Sequence, residues 1–460
     1  MKPHFWPDSL VGREGSRHEL VTPALILDLD AAEKNFKLLL DTLRVRGLGL
    51  RVNVKTHKCL PLAEWQMKLG ATGVCCATLG EAAVMIDGGV KGVLIATPMT
   101  TPQKIAEVVR LAGKSELLLA VDHPGNVSAL SEAAAAAGVT IGILVDVDPG
   151  SKRTGVASDD AAVALVQQVS GSAGLRYGGL QCYAGFIQHI ENLTERREKN
   201  AQVTNRLQRL VERLNALNLA PQIVSGGGTG TFDFDAMAAV FTESQAGSFM
   251  FMDVQYEDVW TKDGLTPPFE PAMFVQTAVH SASHEGVVTT DAGSKRFATD
   301  GGRVIVQTQM PVPVEYKFHG DEHGKIFFAE VVRAAGERVG ARHIHSPEII
   351  FAGGQCRHDM PEFILNVARD ASGIMILDQF DLRCRDAQQR HDHPLTDEPV
   401  TEFAPNLGLQ HRVDAGLLDQ CIRIEQTQGM ILDVRLRAEE RAAQQPCGHA
   451  GGTVVVEGFF

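Results

Sequence analysis

One unit recurs along the first half of this 460-residue chain: a short apolar run, a turn, then a longer amphipathic stretch. The apolar runs are ALILDL (24–29), LRVNV (50–54), TGVCCA (72–77), KGVLIA (91–96), ELLLAV (116–121), IGILVDV (141–147), YGGLQCY (177–183) and QIVSG (222–226). Between them lie helix candidates such as DAAEKNFKLLLDTL, TPQKIAEVVRLAG and NLTERREKNAQVTNRLQRLVERLNAL. Asp30 and Thr101 are suited to cap the first two, and Pro102 stands at a first helical position. The alanine run 133–137 reads as helix interior, since alanine is the best helix former. Eight strand–helix units fit a doubly wound sheet or a closed (β/α)8 barrel. The count of eight favours the TIM-type barrel, and so does the gathering of chemistry-capable residues just after strand ends, where barrels carry their sites. On this reading Lys55 follows strand two, Arg153 strand six, His189 strand seven and a glycine cluster strand eight.

Near residue 265 the alternation stops. AMFVQTAVHSASHEGVVTTDAGS and RVIVQTQMPVPVEYKF show period-two stretches broken by turn residues, which predicts a β-rich domain. The expected layout is a barrel over 20–264 and a C-terminal β-rich domain over 265–340, with residues 1–19 available to join it. Residues 341–460, rich in Arg, Gln and His, stay unassigned. Hydrophobic content of 44% with 22% charged residues suits a water-soluble globular chain. The net charge of −13 argues against a nucleic-acid or anionic-membrane surface. No apolar run nears the roughly 18 residues of a membrane span, and the N-terminus lacks a secretory apolar core. Eight cysteines without paired metal-finger spacing point to reduced thiols and a cytoplasmic protein.

Two stretches carry the chemistry. In RVNVKTHK (51–58) Val52 and Val54 alternate with polar residues, as in a strand with one buried face, yet the run ends in Lys55, Thr56, His57 and Lys58. A lysine there commonly just reaches for solvent. Desolvated at a barrel mouth, it would instead have a lowered pKa and could bond a carbonyl. SGGGTGT (225–231) brings backbone N–H groups within reach of an anion at the end of a barrel strand, although the same composition also suits a plain turn. Together, an amine and an anion cradle across one mouth suggest pyridoxal 5'-phosphate, bonded at one end and cradled at the other.

With TPALILDLD (22–30), VKTHK (54–58), GEAAVMIDGG (80–89), VDVDPGSKRTGV (145–156), YAGFIQH (183–189), SGGGTGT, GSFMFMD (247–253), DAGSKRFATDGG (291–302) and DEHG (321–324) in register, the chain resembles the D-threonine aldolase and D-serine dehydratase family. The resemblance spans about residues 20 to 340. It implies the alanine-racemase type of pyridoxal-phosphate fold, a (β/α)8 barrel with a C-terminal β-domain, usually as a homodimer. Carried over, Lys55 matches the cofactor-bonding lysine, and Gly226, Gly227, Gly228, Thr229 and Gly230 match the phosphate cradle. Arg153 and Tyr183 match positions beside the cofactor ring, and His189 matches the base of the aldolase branch. His57 shares a face with Lys55 if the strand continues, which suggests a place in the cofactor site or, alternatively, a packed histidine.

The family chemistry acts on small β-hydroxy D-amino acids. Removing the β-hydroxyl proton breaks Cα–Cβ and gives glycine plus an aldehyde. Removing the Cα proton with loss of hydroxide gives a keto acid and ammonia. Aldol cleavage of a D-threonine-like substrate is the leading expectation, because His189 is present and no His-x-Cys zinc pair is. The alternatives are a D-serine or D-3-hydroxyaspartate dehydratase, a non-catalytic pyridoxal-phosphate binder, and a racemase using Tyr316 as second base. A 3-hydroxyaspartate substrate would need a cation such as Arg342. A divalent metal, Mn2+ or Mg2+ or alternatively Zn2+, is implied, with His345 near a ligand position but Pro347 where its partner should stand. His343 and His345, and His391 and His393, form His-x-His pairs that are equally consistent with an exposed tail. Phe249 stands where the family commonly has a tyrosine, so one phosphate-side hydrogen bond is expected to be missing.

Overall fold

Strand β1 (Ala24–Asp28) leads into helix α1 (Leu29–Arg44), whose N-cap is Asp28: its carboxylate accepts the N–H groups of Asp30 and Ala31. The cap therefore lies two residues before Asp30. The chain then alternates through β2 (Gly49–Asn53), α2 (Leu60–Leu69), β3 (Gly73–Cys76), α3 (Leu79–Asp87), β4 (Val93–Ile95), α4 (Pro102–Ala112), β5 (Leu117–Val121), α5 (Pro124–Ala137) and β6 (Ile141–Asp146). It continues with α6 (Asp159–Ser170), β7 (Leu175–Cys182), α7 (Leu193–Ala216), β8 (Ile223–Gly226), α8 (Phe232–Ala238), β9 (Glu243–Ser244) and α9 (Val254–Thr261). This computed structural model describes residues 10 and 13–328 except 300, 302 and 308–312, and beyond them only the backbone of strands 349–352, 367–369, 374–377, 422–425, 431–438 and 454–457.

Strands β2 to β9 close a parallel eight-stranded barrel, so the expected fold class holds. Its membership differs from the sequence reading. The first apolar run is outside the barrel: β1 pairs antiparallel with β10 (Met273–Thr277), Leu25 opposite Val275. The eighth strand is β9, two residues long, which pairs with β2 on one side and β8 on the other. Lys55 thus follows the first barrel strand and the glycine loop the seventh. The physical reason is burial of charge. Arg51 points into the barrel and grips Glu243 of β9 with two bonds, Nε to Oε1 at 2.6 Å and Nη2 to Oε2 at 2.8 Å. A strand whose key inward residue is a paired carboxylate shows no apolar run.

Cys75, Leu94, Leu118 and Leu144 form a small apolar cluster inside the barrel, while Leu50, Val52, Val74 and their counterparts face the helices. Toward the mouth the lumen turns polar. Gln181 Nε2 bonds Asp146 Oδ1 at 3.0 Å, and Gln245 Nε2 bonds Ser225 Oγ at 2.9 Å. The second β-region is antiparallel. One sheet joins β1 and β10 to strands 305–307, 349–352, 367–369 and 374–377, and a four-stranded sheet comprises 279–284, 287–290, 314–318 and 324–328. Residues 383–460 form a separate unit, in which 422–425, 431–438 and 454–457 make an antiparallel sheet. No helix among the described residues is long and apolar enough to cross a membrane.

Candidate active site

At the end of β2 the backbone leaves the strand in a tight turn, Val54–Thr56, whose cap is the Asn53 side chain accepting the Lys55 N–H at 3.2 Å. The turn lifts Lys55 out of the strand, so its side chain is exposed rather than desolvated by the protein. Its Nζ lies 5.9 Å from the centroid of the Tyr183 ring, and Arg153 Cζ lies 5.3 Å from the same ring. Two cations therefore lie over one aromatic ring, a favourable arrangement. Burial raises the Tyr183 hydroxyl pKa, and the nearby Arg153 charge opposes that. Tyr183 is thus a neutral, flat wall.

Arg153 is aimed by the loop after β6. Asp148 Oδ1 gathers the N–H groups of Gly150, Ser151 and Lys152 at 2.9, 2.8 and 3.1 Å. Partial burial pushes the Asp148 pKa up, but these N–H bonds outweigh it and hold the carboxyl below its usual range. Gly155, at φ 99°, crosses so close to the Asp148 backbone that a side chain would collide with it. Behind the loop, burial raises the pKa of Asp146 against its bonds from Gln181 and Thr154.

The glycine loop is buried and tightly fitted. A Cβ on Gly226 would strike the Cys182 carbonyl, one on Gly228 the Gln188 side-chain oxygen, and one on Gly230 the Gln188 carbonyl; Gly227 adopts φ 71°. The loop is also more committed than composition suggests. Gly228 N–H donates to Asp235 Oδ2 at 3.2 Å, and Gly230 N–H to Gln188 Oε1 at 2.9 Å. These two bonds engage two of the loop's amides within the protein. Thr229 is 1% exposed, and its Oγ1 accepts the Phe249 N–H at 3.1 Å.

His57 is placed differently from expectation. Because the strand ends at Asn53, its ring turns inward and is 5% exposed. Nδ1 accepts the Cys59 N–H at 3.0 Å, which leaves the proton on Nε2, facing Gln66 Oε1 at 3.3 Å. His57 orders the head of α2. His189 sits at the mouth, its ring 4.4 Å from that of Tyr256. Burial lowers its pKa below the usual histidine value; Asp253 opposes this and Lys55 adds to it. It is therefore a neutral base at neutral pH.

The alanine racemase N-terminal domain family matches residues 27–255, and the family described as "Putative serine dehydratase domain" matches 272–346. The 3-hydroxy-D-aspartate aldolase of Paracoccus denitrificans is 34% identical over 313 residues, 67% of this chain and 80% of that protein. The D-threonine aldolase of an Arthrobacter species is 35% identical over 306 residues, 66% of this chain and 79% of the relative. The chain belongs to the D-threonine aldolase and D-serine dehydratase family. The crystal structure of the D-threonine aldolase from Filomicrobium marinum superimposes with a TM-score of 0.69 at 35% identity, covering 78% of this chain and 95% of that one.

Within this family's fold the residues present suit pyridoxal phosphate. A cradle with no room for side chains stands at one end, an exposed amine at another, and a neutral ring with a guanidinium beside it. Three contributors went unread in the sequence. Gln188 and Asp235 brace the loop, and Tyr256 packs its ring on His189 and interacts with the loop at Thr229. The clearest available signal was Tyr256, one of only four tyrosines, three residues after the helix-capping Asp253. Phe249 has its ring in apolar packing, with centroids 6.0 Å from Phe36 and 5.7 Å from Phe269. Its contribution to the cradle is a backbone N–H, and the tyrosine hydroxyl at the cradle comes from Tyr256. Tyr316 is 7% exposed and donates to the Ala292 carbonyl at 2.6 Å, so its geometry does not favour a second base. His343, His345, Arg342, His391 and His393 lie outside the described residues.

Proposed function

We propose that this protein cleaves β-hydroxy D-amino acids of the D-threonine type by a pyridoxal-phosphate-dependent retro-aldol reaction, a carbon–carbon lyase activity that yields glycine and an aldehyde. The observation that carries it is the shared mouth: Lys55, the Tyr183–Arg153 pair, the glycine loop and the neutral His189 converge there. The relatives' activities support the same reading.

Pyridoxal phosphate, when bound, supplies the electron sink for the pair released from the Cα–Cβ bond. Lys55 Nζ is the covalent anchor, and its exposure leaves it open to attack a carbonyl. The buried loop of Gly226, Gly227, Gly228, Thr229 and Gly230 excludes water from the anion. Arg153 holds its guanidinium over the Tyr183 ring. His189 takes the proton of the substrate's β-hydroxyl on a ring nitrogen, and as that O–H bond breaks the carbonyl of the departing aldehyde forms. Among the described residues no group of three or more His, Cys, Asp or Glu could hold a metal ion. A divalent ion, Mn2+, Mg2+ or Zn2+, enters the proposal only through His345, outside those residues, and chelation followed by readdition of each ion measures the dependence.

The test is D-threonine with cofactor-loaded protein. Acetaldehyde, read by a coupled alcohol dehydrogenase, and glycine in equal amounts are expected, with L-threonine inert. Production of 2-oxobutanoate and ammonia would make it a dehydratase, and cofactor binding without turnover would make it a binder. A cytoplasmic homodimer is part of the proposal, and light scattering on the purified protein checks the oligomer.

A further inference from the structure

Tyr256 occupies a position that neither the cofactor chemistry nor the family likeness explains. It lies three residues into α9, its N–H bonded to the capping Asp253 Oδ1 at 2.9 Å, and is 5% exposed. Its ring meets that of His189 with centroids 4.4 Å apart and planes at 38°. Its hydroxyl interacts with the Thr229 side chain. One buried side chain therefore touches both the base and the anion cradle.

The bond polarity at Thr229 gives this contact a consequence. A threonine hydroxyl has two lone pairs and one proton to donate. One lone pair takes the Phe249 N–H at 3.1 Å. If the Tyr256 O–H takes the other, the Thr229 proton has only one use left, as a donor into the cradle. That donor matters because the Gly228 and Gly230 amides are spent on Asp235 and Gln188. His189 is tied to the same loop from its other side, since the neighbouring Gln188 bonds Gly230 N–H and Thr231 Oγ1, both at 2.9 Å.

We propose that Tyr256 is a positioning residue: its hydroxyl, donating to Thr229 Oγ1, turns the Thr229 proton toward the bound anion, and its ring fixes the plane of His189. Cradle and base then move as one unit, so that anion binding places the base. This rests on the reading of the loop as the cofactor's phosphate cradle and of His189 as the base.

Two variants separate the two links. Tyr256→Phe keeps the ring and loses the donor. Tyr256→Leu loses the ring. Two readouts are used: the dissociation constant for pyridoxal phosphate from an absorbance titration, and the His189 imidazole titration by NMR of cofactor-free protein, assigned with His189→Asn. The charged groups facing His189 in that titration are Asp253, beside Tyr256, and Lys55 across the mouth. Tyr256→Phe should weaken cofactor binding about tenfold, the size of one charge-assisted hydrogen bond, and leave the His189 midpoint in place. Tyr256→Leu should raise that midpoint toward the ordinary histidine value, because the apolar face that desolvates the ring is removed. A dissociation constant for Tyr256→Phe within about twofold of wild type overturns the Thr229 link, and an unmoved midpoint in Tyr256→Leu overturns the His189 link. If both variants only melt earlier with neither readout shifted, Tyr256 is a packing residue. Wild-type protein that takes up no pyridoxal phosphate would overturn the functional reading instead, and inorganic phosphate would then replace it as the probe of the Thr229 link.

Discussion

Asp235 gives the structure its most quantitative stability prediction. The residue is 2% exposed, and its carboxylate accepts three buried donors: Gly228 N–H at 3.2 Å, Thr231 O–H at 2.6 Å and Asn200 Nδ2 at 2.7 Å. Burial nonetheless dominates and pushes its pKa up to about 6. A carboxyl whose folded pKa is raised favours the folded state most when neutral. Its contribution is fully present below the unfolded value, fades as pH climbs from about 4 to about 6, and is then gone. Two pKa units at about 1.4 kcal/mol each make that loss about 3 kcal/mol. Asp235→Asn imitates the neutral form: its oxygen keeps Gly228 and Thr231, and its NH2 meets Asn200 once that amide turns over. Urea unfolding of cofactor-free protein should therefore show Asp235→Asn gaining on wild type as pH rises from 4 to 6, by up to about 3 kcal/mol, with no further change above pH 7. Asp235→Ala should be about 2–5 kcal/mol less stable than Asp235→Asn throughout, because the donors are left unpaired. An Asn variant that is less stable than wild type at pH 7.5, by a margin that does not shrink toward pH 6 and above, would mean the ionised carboxylate stabilises the loop, and the reasoning would fail.

Other residues yield shorter tests. His189→Asn should cost about 10²- to 10⁴-fold in cleavage rate, and the acidic limb of the wild-type profile should fall below the ordinary histidine value, since burial lowers the His189 pKa and keeps the base neutral further into acid. Gly230→Ala puts a methyl group into the Gln188 carbonyl, and should cost about 1–3 kcal/mol in urea unfolding along with cofactor affinity. Glu243→Ala strands the Arg51 guanidinium in the lumen and should destabilise by about 3–5 kcal/mol, whereas a paired Arg51→Met, Glu243→Leu change should recover much of it.

The sequence announced what hydrophobic period and turn chemistry encode. The α7 helix was legible to within a residue at each end, and so was the start of α4 from Thr101 and Pro102. The number of barrel strands was legible, but not which eight. β1 is as apolar as a barrel strand because it is central in another sheet, while β9 is two polar residues whose strand character comes from partners far away in sequence. At the site, the lysine past a strand end and the clustered glycines stood out in the sequence, each beside a plainer reading as a solvent-seeking side chain or a turn. The bracing did not stand out. Gln188 and Asp235 act through hydrogen bonds to partners 42 and 7 positions away, and nothing local marks them; Tyr256 acts through contacts 27 or more positions away, with the rarity of tyrosine as its one local mark. His57 follows the packed alternative in its burial, because one turn of tighter helix after Asn53 reverses the face that strand periodicity assigns.

On the proposed function, Lys55 stands just past the end of β2 in order to hold pyridoxal phosphate. Borohydride reduction of the cofactor-loaded protein, followed by peptide mapping, tests this. A single pyridoxyl-modified peptide carrying Lys55, absent in Lys55→Ala, is expected. A modification at another lysine, or a protein that takes up no cofactor, would contradict it.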